Sequence, residues 1–333
     1  MEGLKLKSKQ ALILWLEGFR EACCLHRVVL FCFRSKQLSI RTGQCFLLNG
    51  LIFLGSIFVL NSFVIPILQW ILPHHCQQYK TVDPCSDGGI AKIYNLLHYG
   101  LVQFFYIFWL YPLYVLSFVL SNIWYNDIAK YAYAAMGRDR DATNSTNQKD
   151  LINSQDRAQD DKPAGLGGII IGIGEQVYSV LLLSFFFLQI ITSGYIPYIG
   201  KALNFVLLSW MYAYYCFEYK WNLDELGLDK RLHFFESNWA FFAGFGSPCV
   251  LAIFFFSSLV SYGVMAVLFP LFVLTATGSK AEKILNSQRT WGGEPLGRLP
   301  IFYLADTFSM RIMKLLSVFI DTAPQLQNEK KDA

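Results

Sequence analysis

Four apolar runs, at residues 45 to 72, 97 to 120, 169 to 218 and 239 to 276, decide what this chain can become. Several exceed the ~20 residues that a helix needs to cross the hydrocarbon of a bilayer. Only helices and closed barrels satisfy their own backbone groups in lipid, and runs of this length and continuous apolarity suit helices. The composition agrees, with 54% hydrophobic and 16% charged residues and a mean hydropathy of +0.36, against roughly 25% charged in an average soluble domain. The expected fold class is an all-α integral membrane protein, with the lipid bilayer as its first partner. A net charge of +4, with carriers scattered along the chain, makes no basic stripe. Nucleic acid is therefore not an expected partner.

The first run, CFLLNGLIFLGSIFVLNSFVIPILQWIL, would reach about 42 Å as one helix, so it must tilt or extend past the bilayer. The second carries Pro112 inside it, where a kink is expected. Trp70 marks the far end of the first, and Trp124 and Tyr125 the end of the second, as interfacial aromatics. The third run is interrupted by SGYIPYIG at 193 to 200 and reads as two helices joined by a turn. The fourth is too long for one span, and SSLVSYG at 257 to 263 offers a bend. Two long spanning helices plus two helical hairpins inserted in the bilayer are expected.

Amphipathic segments flank this domain. Near the N-terminus, Leu12, Trp15, Leu16, Phe19, Ala22 and Cys23 share a face opposite Glu17, Arg20, Glu21 and Arg27, which suits a helix in the headgroup layer. The charged residues interrupt what would otherwise resemble a secretory signal, and no cleaved leader is expected. Near the C-terminus, Phe308, Ile312, Leu315 and Phe319 oppose Arg311 and Lys314, and this helix also reads as interfacial. The expected organisation is residues 1–44 as a cytosolic amphipathic segment, 45–276 as the membrane domain, and 277–333 as a cytosolic segment. Within the membrane domain, GRDRDATNSTNQKDLINSQDRAQDDKPAGLGG at about 137–168 reads as a disordered cytosolic linker.

Basic residues set the orientation, since cytosolic flanks are enriched in Lys and Arg. With both termini cytosolic, 25 of the 28 Lys and Arg residues fall on the cytosolic side, leaving Lys80, Lys92 and Lys201 opposite. The sequon at Asn144 then faces the cytosol and is expected to stay unmodified. The loop holding Cys76 and Cys85 faces the lumen, where a disulfide between them is chemically permitted, with free thiols as the alternative. The neighbouring His74 and His75 match no structural zinc spacing, so no metal is expected.

Motifs of catalysis are not found. GYIPYIGKA at 194 to 202 has the wrong glycine spacing for a phosphate loop, and GIGEQV at 172 to 177 lacks the third glycine of a dinucleotide fingerprint. The chain is expected to be no enzyme and to hold no cofactor. Ionisable groups within membrane helices mark functional positions by default, which singles out Glu175 and Glu218, and His98 after them. Each carboxylate also has a structural reading. Glu175 lies near a helix start, where the dipole favours a carboxylate, and Glu218 lies at a helix end near Lys220.

Residues 207 to 251, LLSWMYAYYCFEYKWNLDELGLDKRLHFFESNWAFFAGFGSPCVL, resemble the signature of the etoposide-induced protein 2.4 family, whose superfamily includes the bacterial CysZ proteins. LSNIWYNDIAKYAY at 120 to 133 and VLFPLFVLTA at 267 to 276 are also similar. The resemblance implies a multi-pass protein of the endoplasmic reticulum membrane acting in autophagy without catalytic chemistry, through cytosolic or membrane protein partners not yet identified. It leaves self-association open. The relation to CysZ implies an alternative, an anion permease or channel for a sulfate-like ion, and the inserted hairpins suggest a lipid-moving or membrane-shaping role. Within the signature, Gly244 and Gly246 would let backbones approach or bend, and Pro248 would interrupt the helical ladder. Trp221 and Trp239 would suit the membrane interface.

Overall fold

The computed structural model describes residues 2–71, 96, 99–147, 166–282, 284–285 and 296–315, and all regular structure among them is helical. In chain order the helices are α1 (Glu2–Ala22), α2 (Leu25–Arg34), α3 (residues 36–71), α4 (residues 99–147), α5 (Leu166–Ser193), α6 (Gly200–Leu223), α7 (Leu228–Ser237), α8 (Trp239–Leu251), α9 (Ser258–Gly278) and α10 (residues 303–315). They divide between two compact units, one formed by Met1–Cys24, Met136–Val250 and Thr275–Ala333, the other by Leu25–Ala135 and Leu251–Leu274.

In the second unit, Ser35 opens α3 as an N-cap, its side chain accepting from the Leu38 amide. That bond satisfies one of the orphan donors of the first turn. The helix runs on unbroken through two π-helical stretches, Leu47–Leu54 and Leu60–Val64. A third, Tyr106–Leu110, lies in α4. Two of the three stand one turn before a proline, Pro66 in α3 and Pro112 in α4. A proline ring collides with the carbonyl four residues back, and a locally widened turn relieves that collision without ending the helix. The expected kink at Pro112 therefore takes the form of a π turn.

Phe53, Ile57, Leu60 and Leu110 form the buried core where α3 meets α4, with Leu259, Val260 and Tyr262 of α9 packed against it. The opposite faces keep Leu51, Phe58, Phe63, Phe104, Phe108 and Val115 exposed. Such apolar outer faces on long helices are lipid surface. By length and composition, Lys36–Ile67 and Tyr99–Gly137 can each cross a membrane, as expected, and so can Ser258–Gly278. This third helix of spanning length, about 32 Å long, lies in the run read as the second hairpin.

The length of this helix follows from where the last apolar run bends. The turn lies at residues 252–257, not at 257 to 263. Ser261 was expected in the bend, but its hydroxyl donates to the carbonyls of Ile253 and Phe256, closing the first turn of α9 from inside the helix. Tyr125, expected to mark the end of the second run, packs against protein. It is 6% exposed and its hydroxyl donates to the Ala266 carbonyl at 2.9 Å. Trp70 is exposed, as an interfacial marker should be.

The first unit is built on α5 and α6, joined by the turn at 194–199 within the expected interval. Asn204 donates across the hairpin to the Ile190 carbonyl at 2.8 Å, so one of the polar groups inside this apolar run is an inter-helix bond. An aromatic cluster of Tyr214, Phe217, Trp221, Phe235, Phe242 and Phe302 fills the core, with Phe235 and Phe242 stacked at 4.3 Å. Pairs of this kind add roughly 0.5–1.5 kcal/mol each beyond area burial. Trp221, expected at the interface, is 3% exposed inside this cluster.

Both flanking segments pack on this unit. α1 buries Leu14, Gly18, Glu21 and Ala22 and leaves Leu12 and Leu16 exposed. The packed face thus centres on Leu14, Gly18 and Ala22 with Glu21 among them, and of these only Ala22 belongs to the face predicted. At the other end, Ile301, Phe302, Ala305 and Ser309 are buried while Phe308 and Leu315 are exposed. Phe308 stacks on Phe185 at 5.7 Å, and Phe302 meets Phe186 at 4.8 Å. Each segment docks against helices of the unit and keeps an apolar face outward. The helix after the second span also runs on to Asn147, into the polar stretch expected as linker from 137.

Candidate functional site

Glu218 is one of seven residues lining a groove of about 370 Å³ between α5 and α6. Ser179, Val180, Leu183, Ser184 and Phe187 line it from α5, and Tyr215 and Glu218 from α6. The α5 residues recur at the three- and four-residue spacing of one helical face, and Tyr215 and Glu218 are three apart, which places them side by side. The groove is therefore legible as two helical stripes facing each other. Its middle is apolar, and its polar groups are three hydroxyls and one carboxylate. Ser184 uses its hydroxyl on the Val180 carbonyl at 2.7 Å.

Glu218 is partly buried, and among the described residues it has no hydrogen bond or ion pair. The Lys220 ammonium, two residues along, donates to the Ser279 carbonyl at 3.0 Å. The Arg231 guanidinium acts electrostatically on the Glu218 carboxylate. Arg231 is itself fixed by the Leu226 carbonyl and by Asn222 Oδ1, each at 2.5 Å. The guanidinium thus bonds Leu226 and Asn222 and makes no ion pair with Glu218 among the described residues.

Gly244 and Gly246 lie in α8 and do not reach this groove. A methyl group on Gly244 would overlap the Trp15 carbonyl of α1, and one on Gly246 would overlap the Ser209 carbonyl of α6. Gly18 of α1 faces the Phe241 carbonyl of α8 in the same way. Three glycines thus let α8 touch α1 and α6 backbone to backbone, the small-residue packing that lipid-embedded helices use. Pro248 sits within α8, and the helix continues past it to Leu251. Its missing donor frees the Gly244 carbonyl at the point where the glycine already removes side-chain bulk.

Glu175 falls in α5, with its side chain outside the described residues. Cys76, Cys85, His74, His75 and His98 also lie outside them. Cys45, Cys216 and Cys249 are buried free thiols. Among the described residues no three His, Cys, Asp or Glu side chains converge to hold a metal ion.

Two polar clusters went unread in the sequence. In the first unit, Glu236 of α7 is 3% exposed. It receives the Arg298 guanidinium at 2.6 Å and the Phe302 amide at 3.1 Å, while its own carbonyl accepts from the Leu299 amide at 3.2 Å. In the second, Asn49 donates to Ser121 Oγ at 2.9 Å and accepts from Ser117, which also bonds the Tyr262 hydroxyl at 3.2 Å. These partners stand 62 to 145 residues apart, so no local pattern announces them.

Long apolar helices with lipid-facing surfaces, an apolar hairpin, and a docked helix at either end define a multi-helix integral membrane protein. The chain belongs to the sulfate transporter CysZ/etoposide-induced protein 2.4 family, whose model matches residues 24–270. It is 61% identical over 314 residues to a "Protein EI24 homolog" of Arabidopsis thaliana, covering 94% of this chain and 97% of the relative. A "Protein EI24 homolog" of Dictyostelium discoideum is 27% identical over 311 residues, 93% of this chain and 86% of that one. "Ectopic P granules protein 4" of Caenorhabditis elegans is 35% identical over 95 residues, 28% of this chain and 30% of the relative. No solved structure matches the chain.

Proposed function

We propose that this protein is a resident of the endoplasmic reticulum membrane, with both termini in the cytosol, and that it acts in autophagy without bond-making chemistry. The observation that carries the reading is family membership over nearly the whole chain, joined to the role that the signature resemblance implies. The distribution of Lys and Arg supports the orientation. Docking of α1 and α10 onto the α5–α6 unit supplies ordered surfaces at the chain ends, where partners in the cytosol or membrane would bind.

Sulfate permeation, the activity in the family's other name, finds less support in this chain. The ionisable group lining the groove is a carboxylate, which repels an anion unless it is neutralised. Deletion of the gene tests the main proposal. Turnover of an autophagic cargo should fall while bulk secretion continues at its normal rate; normal cargo turnover in a clean deletion would overturn it.

A further inference from the structure

We infer that the groove between α5 and α6 binds the headgroup of a zwitterionic, amine-headed lipid of the phosphatidylethanolamine type. The Glu218 carboxylate would accept the ammonium, and the apolar stripe of α5 would hold the start of an acyl chain. The inference does not depend on the autophagy proposal.

Three features of the groove select this ligand. First, Glu218 brings a carboxylate to an otherwise apolar cleft and leaves it without a hydrogen bond among the described residues. For a half-buried carboxylate in an apolar cleft, a cationic donor serves best. Beside it, the Tyr215 ring adds an aromatic face of the kind that attracts ammonium groups. Second, the Arg231 guanidinium acts electrostatically on Glu218 while it donates to Leu226 and Asn222 and, among the described residues, forms no ion pair with that carboxylate. Opposite charges that feel each other without pairing complement a headgroup that carries both an ammonium and a phosphate. A simple anion would meet the carboxylate.

Third, the groove is continuous with lipid-facing surface. Val180 and Phe187 line it and are 57% and 49% exposed, with Leu188 and Ile191 exposed beyond them. A volume of about 370 Å³ falls at the small end of ligand sites, which span ~300–1,000 Å³. It accommodates a headgroup and the first carbons of a chain, while the rest of the lipid lies along α5. A primary ammonium carries three N–H donors for Glu218 and the hydroxyls of Ser179 and Tyr215; the quaternary ammonium of phosphatidylcholine carries none.

Full-length protein purified in mild detergent and offered equal amounts of phosphatidylethanolamine, phosphatidylcholine and phosphatidylglycerol provides the test, with retained lipids counted by native mass spectrometry. Phosphatidylethanolamine should be retained roughly tenfold over phosphatidylglycerol, as a charge-assisted hydrogen bond allows. That preference should vanish in Glu218→Gln and survive in the exposed control Glu225→Gln. Val180→Trp, which fills the groove and keeps the charge, should lower retention of phosphatidylethanolamine. Gel-filtration profiles matching the wild type establish that each variant is folded. Equal retention of the three lipids by the wild type, or a preference unchanged in both Glu218→Gln and Val180→Trp, would overturn the site. Phosphatidylcholine held as strongly as phosphatidylethanolamine would overturn the assignment to a hydrogen-donating amine.

Discussion

Single residues at which α8 meets its neighbours set the tolerance of the first unit to change. At Gly246 any side chain must displace the backbone of Ser209, which is not a movable group. Overpacking of this kind typically costs ~1–3 kcal/mol. Gly246→Ala should therefore lower the thermal midpoint of the detergent-purified protein. Gly55→Ala, where a methyl group meets nothing within 4 Å, should not. Equal midpoints for the two variants would show that the α6–α8 contact yields. The glycines were legible as packing residues in the signature FFAGFGSP. Their partners were not, because Trp15 and Ser209 lie on helices that no spacing rule connects to α8. Glu236 shows the same limit more sharply. A carboxylate in the run LHFFESNWAFF reads as a solvated helix end until the chain returns 62 residues later with Arg298.

At the scale of elements, the apolar runs made the long helices and the α5–α6 hairpin legible, but their ends depended on contacts across the chain. The bend before α9 moved because Ser261 bonds back to the preceding turn, and α1 turned where Gly18 lets it meet α8 backbone to backbone. Glu236 joins one such flank to the unit. Glu236→Ala strips the buried Phe302 amide and Arg298 of their acceptor, and an orphaned buried donor costs ~1–3 kcal/mol. Limited trypsin digestion should then cut faster at Arg298 and Arg311 than in the wild type; unchanged cutting would mean that the aromatic contacts of Phe302 and Phe308 hold the segment alone.

The turn of the α5–α6 hairpin is another element with a readable consequence. Tyr195 and Tyr198 are almost fully exposed there, and Lys201 follows them. Tyrosine and lysine at a helix end favour the headgroup layer over hydrocarbon. The tip is expected to reach the lumenal headgroups. In a chain whose native cysteines are replaced, Tyr198→Cys should react with a membrane-impermeant maleimide only after microsomes are opened. Labelling in sealed vesicles, or none in either state, would contradict that depth.

For the whole molecule, membership of the family and the membrane character follow from features spread along the chain: apolar runs, basic flanks and the signature at 207 to 251. What the protein works upon was less legible, since the groove needs two helices brought together before Glu218 acquires its neighbours. In the proposed function this membrane-embedded architecture serves autophagy. Cargo turnover in cells lacking the gene, with the wild-type chain restored at its native level, tests this most directly. The account predicts that turnover drops on deletion and returns on restoration, with secretion unchanged throughout. Turnover that is indifferent to the protein's presence would contradict it.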